Sequence, residues 1–168
     1  TALTTVKVEK ELAALQAEAE VFRHIRKQRS LRSEVIYRPV DIRDRDSVDE
    51  TIAQVAQTCG RVDVVIHGAG IDVSRALRSK TLEQMENVVS VKVQGMRNIM
   101  EALDRHGTLP RRVVGFGSVA GRFGNMAQVD YSAANDGLSH LLRKIDHDWD
   151  AKVSIIDWAP WSEIGMAT

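Results

Sequence analysis

A single cysteine, Cys59, stands in a chain of 168 residues. One thiol excludes an internal disulfide and gives no zinc-type ligand spacing, which suits a reducing compartment. The histidines (His24, His67, His106, His140 and His147) fall into no ligand pattern either, so no metal is expected. Charge of either sign is not in excess, since 23 lysines and arginines balance 23 aspartates and glutamates. A balanced chain has no overall field for nucleic acid or an anionic membrane surface, and any partner must be recognised locally. No apolar run approaches the roughly 18 residues of a membrane-crossing helix, and the first residues lack a signal peptide's apolar block. These absences lead to the expectation of a cytoplasmic protein. The chain also opens on Thr1, not methionine, and closes on Thr168 without a capping helix or glycine-rich tail, so it reads as an excerpt.

What is present is ordinary for one globular core: 43% of residues are hydrophobic and 27% charged. In residues 8–29, Leu12, Leu15, Ala19, Phe22 and Ile25 recur every three or four positions, the period of an amphipathic helix. The basic residues 23–32 sit at its carboxyl end, where the macrodipole favours cations. Residues 35–40 then read as a short buried strand ended by Asp41. Asp46 or Ser47 is expected to cap a helix running to Thr58, stopped by Gly60, with Val48, Ile52, Val55 and Ala56 facing inward. Residues 62–66 form a second apolar run, followed by His67, Gly68, Ala69 and Gly70. A lone histidine at a strand end is most simply a satisfied hydrogen bonder, and the glycines let backbone pass close to a flat ligand or a neighbouring loop. Residues 82–106 form a long helix in which Lys92 interrupts a tract of valines, a costly place for an ammonium without water or an acceptor. Strands near residues 112 and 153 complete the alternation, the last ended by Pro160. Strand and helix in turn predict an α/β fold with a parallel sheet.

The stretch 113–135 organises the rest. Ser118 falls just past the carboxyl end of a buried strand, where open α/β sheets gather ligands. Tyr131 and Asn135 lie four residues apart, so one helical face carries both polar tips. The run Gly115-Phe116-Gly117-Ser118-Val119-Ala120 also fits a dinucleotide fingerprint. It is set aside because Gly121 to Asn125 read as a continuing loop, whereas such a fingerprint opens a helix at once.

Ser118, Tyr131 thirteen positions on, Asn135 in place of a lysine, and Lys92 within Ser90-Val91-Lys92-Val93-Gln94-Gly95 together resemble the ketoreductase domain of polyketide and polyunsaturated fatty-acid synthases, of the short-chain dehydrogenase/reductase superfamily. His67-Gly68-Ala69-Gly70, Asp41 and residues 158–167 support the resemblance, which runs from about residue 34 to the end. It implies a Rossmann-like three-layer α/β/α fold with a mostly parallel sheet. Residues 1–168 would form a partial domain carrying strands 3 to 6 of the doubly wound order, since no glycine-rich phosphate loop precedes Asp41.

By the same resemblance the cofactor is NADPH. Asp41 would hold the adenine amino group with help from the Ile42 amide, Gly68, Ala69, Gly70 and Pro160 would support the dinucleotide, and Lys92 and Tyr131 would reach the nicotinamide ribose. Tyr131 would be the proton donor, eased by the Lys92 ammonium. Ser118 would bond the carbonyl oxygen as charge builds there, and Asn135 would order Lys92 or a relay water. The implied substrate is a β-ketoacyl thioester on an acyl carrier protein, with other domains of a multidomain synthase as neighbours. Asp72, Val73, Ser74 and Phe123, where relatives carry stereochemical markers, support neither alcohol configuration, and no oligomeric state is legible. Two other readings stay open: a scaffold fragment that cannot bind cofactor, and a stand-alone short-chain reductase of a free small molecule.

Overall fold

The computed structural model describes residues 5–31 and 33–160, in two compact units that divide between Pro39 and Val40. The first unit holds helix α1, Thr5–Ser30. Its end is closed locally, with Ser30 Oγ donating to the Lys27 carbonyl and the Arg29 guanidinium to the Val35 carbonyl. Residues 33–40 do not form the expected strand: they join no ladder, and Ile36 and Tyr37 are exposed. A strand exists only through a neighbour that exchanges N–H···O=C bonds with it, and none of the described residues supplies one.

In the second unit, helix α2 spans Arg45–Cys59. Its cap is Asp44, two residues before the nearer of the expected caps. The Asp44 carboxylate accepts from the Asp46 and Ser47 amides and from the Ser47 hydroxyl, and these bonds hold it below the usual carboxylate range. Gly60, at φ 75°, ends the helix in a conformation that glycine adopts without strain. Strand β1, Val64–His67, follows, then helix α3, Leu82–Val89, whose Thr81 and Gln84 form a reciprocal capping box.

The expected continuous helix over residues 82–106 is instead three pieces. Between α3 and helix α4, Gly95–Arg105, residues Ser90–Gln94 wind as a π-helix, and the Gly95 amide bonds back to the Ser90 carbonyl. Lys92 lies at the centre of this wider turn. Strand β2, Arg112–Ser118, is followed directly by a single helical turn, α5, Ala120–Phe123, where the sequence reading expected loop. Gly124, at φ 73°, terminates α5 after four residues. Helix α6, Val129–Asp148, and strand β3, Lys152–Trp158, complete the unit.

The three strands form one parallel sheet in the order β1-β2-β3, with Val65 opposite Val113 and Gly115 opposite Ile155. The Rossmann-like class holds, with three of the four expected strands. The core joins Met96, Met100 and Leu103 of α4 to Val113 of β2 and to Leu138, Leu142 and Ile145 of α6. Gly115 lets α6 approach, because a Cβ there would collide with the Leu142 side chain. Side chains alternate across a strand, so Val65, Val113, Val153 and Ile155 meet these helices. The alternate face carries Val64, Ile66 and Ile156 exposed. Within this unit the described helices therefore cover one face of the sheet, which makes two of the three layers of the class.

Candidate active site

At the carboxyl ends of the strands, the residues singled out in the sequence fall into three neighbouring groups. The first is Lys92, 3% exposed. Its Nζ donates to the Phe116 carbonyl at 2.8 Å, so the ammonium reaches β2 two residues before Ser118. That carbonyl is the acceptor a lysine among valines requires. Burial still pulls the ammonium down to about 8 from its ordinary 10.5.

The second group is Ser118, Tyr131 and Asn135. Ser118 is buried at the end of β2, and its Oγ accepts from the Ala120 amide at 3.2 Å. Asn135 Nδ2 donates to the Tyr131 carbonyl at 2.7 Å, one turn back on α6, while the Asn135 Oδ1 is buried without a partner among the described residues. An unmet buried acceptor costs about 1–3 kcal/mol. Gly121 of α5 lies directly against Asn135, where a Cβ would come within 2.9 Å of the Asn135 Cβ. Tyr131 is half-buried, and its hydroxyl forms no hydrogen bond to another described residue.

The third group lines a cleft of about 420 Å³ between residues 40–43 and 69–71, with Val91 on its floor. Asp41, Ile42, Ala69 and Gly70 share this cleft. Asp41 is engaged: the Arg43 guanidinium binds both carboxylate oxygens and holds the carboxyl at about 2, and Arg43 also reaches Asn87 at 2.9 Å. The pair is solvent-exposed, so the carboxylate keeps lone pairs for a further donor. Gly68 meets the Phe116 ring instead. Pro160 is exposed beyond β3, and Trp158 packs edge-on against Phe116 with ring centres 5.7 Å apart. The expected cofactor loop past Pro160 lies outside the described residues. A second cleft, about 470 Å³, opens beside Arg111, Arg112 and Lys152 at the amino ends of β2 and β3. It lies opposite the end where parallel sheets place ligands, and holds none of the groups above.

Several contributors escaped the sequence reading. Asn98 of α4, buried, donates to both the Ile42 and Arg43 carbonyls and so docks the Asp41 segment on the helix. Its signal was a polar residue on an apolar helix, one turn after Gln94, which bonds it. Lys80 and Asp130 form an ion pair in which both side chains are at most 1% exposed. Lys80 also donates to the Val73 carbonyl, and Asp130 accepts from the Tyr131 amide, so the pair fastens the start of α6 to the segment after β1. Gln128 bridges Asp72 and Ser74 to the loop before α6, and the Arg75 amide bonds the Ala127 carbonyl there. No spacing in the sequence marks these long-range pairs.

Known proteins place this geometry. Residues 8–163 match the family model of the KR domain. The chain is 29% identical over 140 residues to a polyunsaturated fatty acid synthase polypeptide of Thraustochytrium sp., covering 83% of this chain and 5% of that protein. It is 28% identical over 106 residues to the 3-oxoacyl-acyl-carrier-protein reductase FabG of Thermotoga maritima, covering 62% and 43%. Among solved structures, a ketoreductase from the first module of phoslactomycin biosynthesis in Streptomyces sp. HK803 superposes with a TM-score of 0.67 at 27% identity, over 77% of this chain and 29% of that one. The chain thus spans less than half the length of the curated relatives it matches here. With the family model covering nearly its whole length, this chain belongs to the KR-domain family of the short-chain dehydrogenase/reductase superfamily.

Proposed function

We propose that the chain carries the catalytic half of a ketoreductase that reduces a β-ketoacyl thioester, borne on an acyl carrier protein within a multidomain synthase, at the expense of NADPH. What supports this reading is that Lys92 Nζ bonds β2 two residues before Ser118, while Asn135 of the Tyr131-bearing helix lies against the turn that follows β2. The residues present offer contacts for the adenine end and the nicotinamide ribose of a dinucleotide, while no glycine-rich loop for its pyrophosphate stands among them. The cleft between residues 40–43 and 69–71 leads to Val91, next to Lys92, and the unmet Asn135 Oδ1 and the Tyr131 hydroxyl offer polar contacts beyond it. In this reading Asp41 and Ile42 hold the adenine end and Lys92 the nicotinamide ribose. When bound, the cofactor supplies hydride to the carbonyl carbon.

The chain's own residues do the rest. Tyr131 gives its hydroxyl proton to the substrate oxygen, and Ser118 donates a hydrogen bond to that oxygen as negative charge grows on it. A preorganised donor of this kind is worth on the order of 3 kcal/mol. Lys92 stays cationic near neutral pH, since its value of about 8 lies above it, and so stabilises the phenolate left on Tyr131. Asn135 Oδ1 holds a water that returns the proton.

The test is stopped-flow reduction of a β-ketoacyl thioester by the chain, with NADPH binding measured separately. Tyr131→Phe should abolish turnover and leave NADPH affinity within about tenfold, because a phenyl ring keeps the packing and loses the proton with one ribose contact. Retained turnover would remove Tyr131 as the acid. Failure of the unaltered chain to bind NADPH would favour the scaffold reading.

A further inference from the structure

The end of β1 and the turn after it touch Lys92 at one point each, and neither contact belongs to the cofactor role that the family resemblance gives that turn. His67 is 2% exposed, and its Nε2 lies 2.9 Å from the Lys92 carbonyl oxygen. A carbonyl only accepts, so the imidazole donates and its Nε2 carries the hydrogen. That carbonyl belongs to the π-turn, where the helix is wound one residue wider and the Gly95 amide returns to Ser90. Such turns are less favourable than regular α-helix and persist where something outside the helix holds them. Three residues on, Gly70 leaves the space into which the end of Lys92 extends: a Cβ on it would come within 2.9 Å of Lys92 Cε and 3.1 Å of Nζ. The Phe116 carbonyl then receives the ammonium.

We propose that residues 67–70 form a seat for Lys92, with His67 and Gly70 as positioning residues: His67 fixes the backbone of the π-turn from outside, and Gly70 keeps open the space in which the ammonium reaches Phe116. The inference rests on Lys92 being the ammonium of the site, and it requires no particular substrate. It assigns His67 a specific task, where a strand-end histidine is otherwise only a satisfied core group. It also gives glycine at position 70 a reason, since a Cβ there would meet Lys92 Cε and Nζ and force that end of the side chain to shift.

The experiment follows the whole chain without substrate. Lys92 in its seat is shielded from an amine-acylating reagent such as acetic anhydride, whereas exposed Lys144 supplies an internal standard. His67→Leu should raise Lys92 acylation relative to Lys144 on the order of tenfold and speed hydrogen exchange at the Gly95 amide similarly, by freeing the π-turn. His67→Asn, which restores a donor, should bring both rates back toward the unaltered chain. Gly70→Ala should raise Lys92 acylation alone and leave the Gly95 amide protected. Folded His67→Leu with both rates unchanged would overturn the role of His67. If His67→Leu does not fold, an unchanged acylation rate in Gly70→Ala overturns the seat. These readings need no turnover. A chain that shows them yet reduces no ketone keeps the seat and loses the proposed function, and a chain that reduces ketones without them does the reverse.

Discussion

At the scale of single residues, burial sets the chemistry. Lys92 has a folded value of about 8 against an ordinary 10.5, so the folded state gives up its proton more readily than the unfolded chain. Between about 8 and 10.5 the unfolded chain binds more protons, and stability from this group rises with pH across that window. Lys92→Met should therefore melt higher at pH 7, by up to about 3 kcal/mol in urea titration, with the gain fading toward pH 10.5. The same substitution should destroy reductase activity, so a loss of function with a gain of stability marks a group kept for its chemistry. His67 has the same sign at lower pH. Burial holds it at about 4, below its ordinary 6.5, so stability is full above 6.5 and falls as pH drops toward 4. Denaturant titrations of the unaltered chain should show loss beginning near pH 6.5, before the carboxylates titrate, and His67→Asn should remove that first step.

At the scale of elements, the ion pair between Lys80 and Asp130 decides where α6 begins. With both side chains buried, removing one partner strands the other charge, and Lys80→Met should cost about 3–5 kcal/mol. Adding Asp130→Asn to it should recover part of that loss in the same urea titration, while turnover stays low if Tyr131 has been released with the start of its helix. Elements such as β2, β3 and α6 were legible because runs like Val113-Val114 and spacings like Tyr131 to Asn135 are local patterns. The strand expected at residues 35–40 had the right apolar content, but a ladder depends on a neighbour that no local pattern reports. The π-turn was illegible for a related reason: Ser90 to Gln94 contain no residue type that specifies it, and the side chain that bonds its Lys92 carbonyl, His67, lies 25 residues away. The cap of α2 was misplaced by two residues because Asp44, Asp46 and Ser47 all qualify by type, and only backbone geometry chooses Asp44. The four candidate residues could be singled out from sequence, whereas the scaffold around them could not, since Asn98, Lys80 and Asp130 act through contacts distant in sequence.

For the molecule as a whole, the described helices of the second unit cover one face of the sheet, and Val64, Ile66 and Ile156 on the other face are exposed. Ile66 is 64% exposed while Val113, on the covered face of the neighbouring strand, is fully buried. Ile66→Thr should change stability by no more than about 0.5 kcal/mol, whereas Val113→Thr should cost about 1–3 kcal/mol, and thermal melts of the two variants would separate the faces. Ile66→Lys should also reduce self-association in sedimentation, because it places a charge in an exposed apolar patch on β1, which among the described residues is an edge strand. The parallel register adds a constraint in time. Val64 pairs with Arg112, and Arg112 with Lys152, so every ladder joins segments separated by a complete helical crossover. Among the described strands β1 is made first, and its partner β2 follows only after α3, the π-turn and α4 have been made. Lys92 is thus translated before the strand whose carbonyl will hold its ammonium, and the site can close only after β2 arrives.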